Sequence, residues 1–587
     1  MHDLSLLINL SVSLVAALAL GLLTQRLGLS PIAGYLLAGI ALGPQTPGFV
    51  ADPKMSAQFA EIGVILLMFG VGLHFHLREL LAVRNIALPG AVAQIAAASA
   101  LGLAASAAFG HGFGFGLTMG LALAVASTVV LTRVLADNNL LQTSHGHIAV
   151  GWLIVEDIFT VLVLVILPGA AGFLGGAAAR GESVFSSLGL TALKVGALGL
   201  LVLVVGARVV PWILRQVAYT RSRELFTLTV LALALAIATG SAAVFGVSMA
   251  LGAFIAGLVV GQSEVSHQAA ADALPMRDAF AVLFFVSVGM LFDPKVVWEH
   301  PLYLLSLLAI IMIAKPLSAL IIVWALGFSV RTGLVVALGL AQIGEFSFIL
   351  AGLARDLRIL PAEGQGLLVA CALVSISLNP IVFRAVDPVE RWLQGRPRLW
   401  RLLNRKARAR GRALNREMKE LLLHPDTGDG ARPRAIVVGY GPTGQAASHI
   451  LEEFGIQPVI VDLNLDTIRA LGAEGKPAVY GDATQREILR RAGIEKSKYL
   501  LVTTPDRSSR AAIIMTARDL NPDLKILARS RYIQERAWLE RVGATTVCSE
   551  EAEVAAAMAR LLLEEVGASE ERIREEVRKA RRAPWQG

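Results

Sequence analysis

The fold is decided by Ile148-Ala-Val-Gly-Trp-Leu-Ile-Val-Glu156-Asp157-Ile-Phe-Thr-Val-Leu-Val-Leu-Val-Ile-Leu-Pro168, an almost wholly apolar stretch. Its length, about twenty residues, is what one bilayer crossing requires. Glu156 and Asp157 lie near its middle, where each ionised side chain costs roughly 3 kcal/mol. Because adjacent carboxylates also repel each other, we expect one to be protonated or paired with a cation. A polar patch between helices is the structural alternative, but buried acids in a membrane segment usually mark a transport path. The pair predicts a proton-coupled cation site.

The composition indicates a membrane protein with a polar C-terminal part. The 587 residues are 55% hydrophobic and 17% charged, and the mean hydropathy is +0.63. Long apolar segments stop near Asp387, after which Arg, Lys and Glu become frequent. The net charge of +8 therefore reflects membrane flanks and the tail, and we do not interpret it as nucleic-acid binding. Cys371 and Cys548, far apart, form no disulfide framework or metal-binding spacing.

Apolar segments of spanning length recur throughout the first part and predict about thirteen transmembrane helices. The N-terminal segment lacks the basic region of a signal peptide, so we interpret it as a retained first helix. Arg and Lys are more frequent in the first, third and following odd-numbered connections between spans, which favours an outside N-terminus and a cytoplasmic C-terminal part. The predicted spans are residues 4–23, 30–46, 57–73, 86–108, 114–135, 148–168, 188–212, 224–241, 245–261, 277–292, 302–327, 333–353 and 366–386.

The membrane part also contains an internal repeat. The segment Tyr35–Gly43 aligns with Ala253–Gly261, and Ile65–Phe75 aligns with Val282–Phe292 at nearly the same separation. Short apolar sequences recur by chance in membrane helices, but chance rarely produces two matches at nearly the same separation. On the predicted topology the matched helices cross in opposite directions. This pattern predicts an inverted repeat of six plus six helices around a linker helix, as in secondary transporters.

Two spans contain polar residues that predict interrupted helices. One is Ala126-Ser127-Thr128, and its counterpart in the second half is Ala341-Gln-Ile-Gly-Glu345-Phe-Ser347. Interrupted helices near the midplane form the binding sites of such transporters. Glu345 would line the cavity, cap a half-helix or lie at a helix end in water. Lys315, near the centre of the eleventh span, needs an acidic partner, which we expect to be Glu156 or Asp157.

The polar part contains a basic connector, a nucleotide-binding motif and a charged tail. A strand at residues 434–438 leads into Gly439-Tyr-Gly441-Pro-Thr443-Gly444, and a second strand ends in Asp462. Glycines in this position permit a tight turn and close approach to phosphates, while the acid accepts ribose hydroxyl groups. Asp482 and Thr503 follow later strands and are further candidates for the site. A Rossmann scaffold without a nucleotide is the alternative. The predicted domains are residues 1–388, a linker 389–433, a Rossmann-like domain 434–550 and a helix with tail 551–587.

Together, the acidic pair, Lys315 and the glycine turn resemble the Kef-type branch of the monovalent cation:proton antiporters. The resemblance covers nearly the whole chain and implies an NhaA-like membrane fold, a homodimer and an elevator-like movement of a core domain. It also implies that Asp157 carries the exchanged cation or proton, with Glu156 at a variable first position and Lys315 as cationic partner. It makes AMP, ATP or NAD(H) a plausible regulatory ligand and allows an ancillary regulatory subunit. Pro442-Thr443 replaces the Arg expected of glutathione-gated members, which speaks against glutathione control.

The leading functional interpretation is antiport of K⁺, or else Na⁺, against H⁺ in a bacterial inner membrane. Ser127, Thr128 and Glu345 join the acidic pair and Lys315 as candidate ion-site residues. The alternative is a ligand-gated potassium channel-like efflux system, which would conduct without obligatory proton movement. No redox-active cysteine pair, haem-ligand pair or flavin signature supports an enzyme.

Overall fold

The computed structural model describes residues 3–47, 51–73, 77–138, 140–141, 143–176, 184–417, 433–504 and 507–582. Residues 74–76, at the end of one repeat match, and 418–432, about a third of the predicted connector, lie outside this set. The chain forms two compact units that divide between Leu403 and Asn404. We call them the membrane unit and the C-terminal unit. The predicted connector therefore contributes helices to both units.

The membrane unit is entirely helical in its described residues. Nine of these helical segments are long and apolar enough to cross a membrane, and three shorter apolar helices accompany them. Every predicted span falls on a helix or on a helix pair. The helices are α1 Asp3–Arg26, α2 Pro31–Leu42, α3 Pro53–Leu73, α4 Leu77–Ala108, α5 Phe113–Ala124, α6 Thr128–Asp137, α7 Ser144–Ala170, α8 Val184–Leu201, α9 Ala207–Tyr219, α10 Arg223–Phe245, α11 Met249–Gly261, α12 Ser266–Met290, α13 Lys295–Glu299, α14 Pro301–Ala309, α15 Lys315–Ala325, α16 Val330–Gly339, α17 Glu345–Asp356, α18 Ala362–Phe383, α19 Val386–Gln394 and α20 Pro397–Leu403.

Several predicted boundaries were wrong, because apolar composition does not mark where a helix begins. Helix α4 starts nine residues before the predicted span, at Leu77. Helix α12 starts at Ser266, so Arg277 lies well inside it. Single π-helical turns, Val202–Gly206 and Ile310–Ala314, join α8 to α9 and α14 to α15. Such turns are common at functional positions, and the second one places Lys315 directly after it.

Glycine contacts show the predicted repeat in three dimensions. A Cβ atom built on Gly39 of α2 would lie 2.7 Å from the Cα of Gly289 in α12. One built on Gly257 of α11 would lie 3.0 Å from the Cα of Gly72 in α3. Since the repeat matches Gly39 with Gly257 and Gly72 with Gly289, exchanging the halves converts one contact into the other. Small residues allow this close approach of helix backbones.

The C-terminal unit is a doubly wound parallel sheet, and the predicted Rossmann-like fold is confirmed. The strand order is β3-β2-β1-β4-β5-β6, which places the carboxyl ends of β1 and β4 at the switch point where such folds bind ligands. The strands are β1 Arg434–Val438, β2 Gln457–Asp462, β3 Ala478–Tyr480, β4 Tyr499–Val502, β5 Lys525–Ser530 and β6 Thr546–Ser549. The helices are α21 Arg405–Glu417, α22 Pro442–Glu453, α23 Leu465–Ala473, α24 Arg486–Arg491, α25 Arg507–Leu520, α26 Arg536–Val542, α27 Glu550–Glu565 and α28 Glu570–Arg582.

The connector helix α21 covers the free edge of this sheet. The amide of Asn415 donates to the carbonyl of Tyr480 and accepts from its N–H group, both at 2.8 Å. Leu414 packs into a small apolar cluster with Tyr440 and Tyr480. An unpaired edge strand is a liability for aggregation, and here a side chain takes the place of a neighbouring strand.

Candidate ion-binding and nucleotide-binding sites

The two interrupted helices of the membrane unit face each other at their breaks, residues 125–127 and 340–344. A Cβ atom on Gly344 would lie 2.6 Å from the carbonyl oxygen of Ala126, so only glycine fits there. The Gln342 amide oxygen accepts from the N–H group of Ser127 at 3.0 Å. Its amide nitrogen donates to the Ser127 carbonyl at 3.2 Å. One buried side chain thus joins the two breaks by two hydrogen bonds.

Carbonyl groups that the first break leaves unpaired are also bonded by side chains. The Ser347 hydroxyl donates to the carbonyl of Ala122 at 2.6 Å. The Gln94 amide donates to the carbonyl of Ala124 at 3.1 Å, and it accepts from the indole N–H of Trp152 at 2.9 Å. In the membrane no water is available for these groups unless a cavity supplies it. Side chains therefore supply the hydrogen bonds that the interrupted backbone lacks.

The acidic pair of α7 lies against the N-terminal end of α6. Glu156 is fully buried and its Oε2 accepts from the N–H group of Ala126 at 2.9 Å. Asp157 is 6% exposed and its Oδ2 accepts from the Thr128 hydroxyl at 3.0 Å. The second oxygen of each carboxylate has no hydrogen-bond partner among the described residues. The positive end of a half-helix stabilises negative charge at such a position.

Lys315 is fully buried and contacts the other break. Its ammonium group donates to the carbonyl of Gln342 at 3.1 Å, just beyond the C-terminal end of α16, where a positive charge is favourable. It interacts electrostatically with Glu156. Among the described residues the two form no direct ion pair. Of the two acidic partners that the sequence left open, the structure therefore associates Lys315 with Glu156.

Glu345 is the first residue of α17 and is 5% exposed. It does not lie in water at a helix end, which was one of the predicted alternatives. The carboxylate interacts electrostatically with Asp157, and its Oε2 has no hydrogen-bond partner among the described residues. Glu345 therefore belongs to the same buried group of acids as the pair on α7.

In the C-terminal unit, the glycine turn connects β1 to α22. Gly439 has a φ of 93°, which favours glycine. A Cβ atom on Gly444 would lie 2.0 Å from the Gly439 carbonyl oxygen, whereas one on Gly441 would have no atom within 4 Å. The first and third glycines are therefore required by the fold, and the middle one leaves open space before α22. This division of roles is that of dinucleotide-binding turns.

Asp462, at the end of β2, is held beside this turn. Its two carboxylate oxygens accept from the N–H groups of Tyr440 and Asn464, both at 2.7 Å. Burial raises the pKa of the Asp462 carboxyl, although these backbone hydrogen bonds act in the opposite direction. The carboxylate keeps further lone pairs that can accept hydroxyl groups.

The remaining predicted residues of this site have different positions. The Thr503 hydroxyl donates to the carbonyls of Val438 and Gly439 at 3.0 and 2.9 Å, so it holds the turn from inside. Asp482 follows β3 and accepts from the N–H group of Thr484 at 2.9 Å. Thr443 is exposed in the first turn of α22.

Residues 12–386 match the family of transmembrane sodium/hydrogen exchangers, and residues 435–550 match the TrkA-N domain. The chain belongs to the sodium/hydrogen exchanger family. This exchanger is 45% identical over 565 residues to the putative cation/proton antiporter YbaL of Escherichia coli (strain K12), covering 96% of this chain and 98% of that protein. It is 30% identical over 555 residues to the glutathione-regulated potassium-efflux system protein KefC of Cronobacter sakazakii, covering 94% and 84%. The AMP-bound Kef C-terminal domain of Shewanella denitrificans is 25% identical, with a TM-score of 0.22, over 24% of this chain and 88% of that one.

The exchanger is accordingly a cation/proton antiporter with a regulatory TrkA-N domain, and the resemblance to the Kef branch is confirmed. The channel alternative is not favoured. The structure brings all six predicted ion-site residues to the two breaks. It adds Gln94 and Trp152, which the sequence analysis missed. A glutamine inside the apolar span of α4 was the signal that could have identified the first of them.

Proposed function

We propose that Asp157 is the shared site for the proton and the transported cation, and that K⁺ is the preferred cation. The observation that carries this proposal is the group of three buried carboxylates whose second oxygens, Glu156 Oε1, Asp157 Oδ1 and Glu345 Oε2, have no hydrogen-bond partner among the described residues. Oxygen ligands suit a hard monovalent cation. A proton on Asp157 removes the charge that attracts the cation, so the two compete.

The neighbours of Asp157 have distinct roles in this proposal. Thr128 donates to the ionised carboxylate and would stabilise it after the proton leaves. One oxygen of Glu156 accepts from the Ala126 N–H group, and the carboxylate interacts with Lys315. Glu156 would therefore position the break and offset the positive charge of Lys315. Ser127 starts α6, and its hydroxyl accepts from the Val130 N–H group. Of the two acids on α7, Glu156 is therefore bonded to the backbone of the break, whereas Asp157 is bonded to a side-chain hydroxyl.

A polar cavity supports an access route along α6. It measures about 360 Å³ and is bordered by Val130, Arg133, Val134 and Asp137 of that helix. Residues 25–30 and the end of α18 close its other sides. Its lining begins at Val130, two residues beyond Thr128, and we propose that a hydrated cation approaches the break from this side.

Substitution of the two adjacent acids tests the assignment. In proteoliposomes, Asp157→Asn should abolish cation-dependent proton flux, because the amide cannot alternate between protonated and cation-binding states. Glu156→Gln should be milder, because Asp157 remains chargeable. Asp272→Asn is the matched control: Asp272 is also buried, but it pairs with Arg223 on α10. Flux that survives Asp157→Asn and is lost in Glu156→Gln would reverse the assignment.

We also propose that the glycine turn binds an adenine nucleotide, AMP, ATP or NAD(H), as a regulatory ligand. The open space at Gly441 and the N-terminal end of α22 would take the phosphates, and Asp462 and Asp482 would bind ribose or base. Gly441→Ala separates ligand binding from folding, because the new methyl group meets no protein atom. We expect an unchanged unfolding midpoint without ligand and a loss of the calorimetric heat with each nucleotide. Equal heats in both proteins would refute the site.

We further propose a homodimer in the bacterial inner membrane with an outside N-terminus and a cytoplasmic C-terminal unit. The excess of Arg in the predicted inner connections supports this orientation. Exposed apolar side chains of α27, Val554, Met558, Leu561 and Leu562, support association of two chains. Labelling of single cysteines on intact cells tests the orientation, and mass measurement in detergent tests the dimer. A monomeric mass would contradict the second proposal.

A further inference from the structure

A second group of metal-binding side chains lies away from the ion site. Glu299, His300 and Glu363 each have a ligand atom, and these three atoms lie within 4.8 Å of one another. The Nε2 atom of His300 is 3.0 Å from Oε1 of Glu363. The residues come from the end of α13, the residue before α14 and the first turn of α18. Three helix ends therefore converge at one point.

Buried contacts of the neighbouring residues hold the start of α14 in place beside this cluster. Tyr303, in the first turn of α14, is fully buried, and its hydroxyl is 2.7 Å from the Ser106 hydroxyl of α4. His111, between α4 and α5, stacks on Phe115 with ring centroids 4.0 Å apart and lies 5.0 Å from the Tyr303 ring. The geometry thus fixes a second imidazole near the same helix ends.

His111 also interacts electrostatically with Glu363 and His300. This second imidazole is therefore near the cluster, but it is not one of the three residues whose ligand atoms lie within 4.8 Å of one another. A His300–Glu363 ion pair alone would explain two of these residues. At its partial exposure it would add little stability, and it gives no reason for Glu299 and His111 to lie beside it.

We propose that this cluster binds a transition-metal ion of the Zn²⁺ class. Imidazole nitrogen and carboxylate oxygen are ligands of Zn²⁺, whereas Mg²⁺ and Ca²⁺ prefer oxygen alone. His300 and Glu363 would supply two ligands, Glu299 a third, and water a fourth. The ion would tie the start of α14, whose continuation carries Lys315, to the start of α18. It would thereby stabilise the membrane unit.

Metal titration of the full-length, tag-free exchanger tests this proposal. After removal of metals with EDTA, we expect one saturable Zn²⁺ site per chain and a higher unfolding temperature, with no such effect of Mg²⁺. His300→Gln and Glu363→Gln should each weaken the site at least about tenfold, as loss of ligand support does. His449→Gln is the matched control, because His449 pairs with Glu453 at 3.3 Å without a third ligand. Identical Zn²⁺ affinity in the wild type and in His300→Gln would overturn the proposal.

A spectroscopic variant distinguishes ligation from a structural effect. His300→Cys, in a Cys548→Ser background that removes the exposed cysteine, would place a thiolate at the site. Added Co²⁺ should then produce a thiolate-to-cobalt charge-transfer band that the background protein lacks. The same variant with Glu363→Gln should show a weaker band at equal Co²⁺. Absence of the band in His300→Cys would leave the cluster an ion pair only and refute the metal site.

Discussion

Replacement of Gln342 tests whether its two hydrogen bonds to Ser127, which we call the clamp between the two interrupted helices, stabilise the proposed ion site. Gln342 is fully buried and exchanges two hydrogen bonds with the backbone of Ser127. Methionine has nearly the same volume but neither donates nor accepts strongly. Gln342→Met therefore leaves the Ser127 N–H group unpaired in a region without water, whereas the Ser127 carbonyl still accepts from the Leu131 N–H group at 3.1 Å. An unpaired buried group costs about 1–3 kcal/mol, so the substitution should lower the free energy of unfolding by about 1–3 kcal/mol.

The assay is unfolding of the detergent-solubilised exchanger, by heat and by a denaturing detergent, with transport measured in parallel. Ser99→Ala is the control, because the buried Ser99 hydroxyl has no hydrogen-bond partner among the described residues. Its removal should leave nothing newly unpaired. If Gln342→Met and Ser99→Ala have the same unfolding midpoint, the clamp contributes no stability and the reasoning fails.

Glutamate at the same position adds a test with a pH dependence. A protonated glutamic acid can still donate to the Ser127 carbonyl and accept from the Ser127 N–H group. An ionised one cannot donate, and it would add a fourth negative charge to the buried acids. Gln342→Glu should therefore approach wild-type stability at low pH and lose it as the pH rises. A constant difference from the wild type across the pH range would contradict this account of the two bonds.

Three further outcomes are expected. Lys315→Ala should move the pH profile of transport to higher pH, since protons compete more strongly with the cation once the nearby ammonium is gone. An unchanged pH profile in proteoliposomes would show that Lys315 does not affect the titration of the acids. Gly444→Ala should lower the unfolding midpoint of the C-terminal unit, because its Cβ would lie 2.0 Å from a carbonyl oxygen; a wild-type midpoint would contradict the close packing of the turn. Glu535→Ala should lower the midpoint of denaturant unfolding, because it removes the buried carboxylate that pairs with Arg510 at 2.7 Å. A wild-type midpoint would show that this pair contributes no stability.

The sequence predicted the elements whose signal is local. Spans follow from apolar length, and the breaks follow from polar residues inside spans near Ser127 and Glu345. The strand, glycine turn and helix follow from spacing. Helix ends were less predictable: α12 begins at Ser266, before the predicted span at 277, because a helix can continue into polar sequence that carries no apolar signal. The partner of Lys315 was not predictable either, because Glu156 and Asp157 are adjacent in sequence and only the rotation of α7 distinguishes them.

The membrane unit combines a symmetric backbone with an asymmetric placement of its acids, and this combination supports the single ion site that we propose. Helices α6 and α17 begin at matching positions of the repeat, and so, within one residue, do α7 and α18. Thr128, the first residue of α6, and Glu345, the first residue of α17, occupy equivalent positions of the repeat. A hydrogen-bond donor in one half therefore corresponds to an acid in the other. Counted from the helix starts, the position of α18 that matches Asp157 falls within a residue of Ser375, which is buried and uncharged. A symmetric backbone allows inward- and outward-facing arrangements of similar energy. In the proposed mechanism the acidic pair lies on α7 alone, so both arrangements present the same Asp157. Exchange would then follow because one carboxylate cannot hold a proton and a cation together.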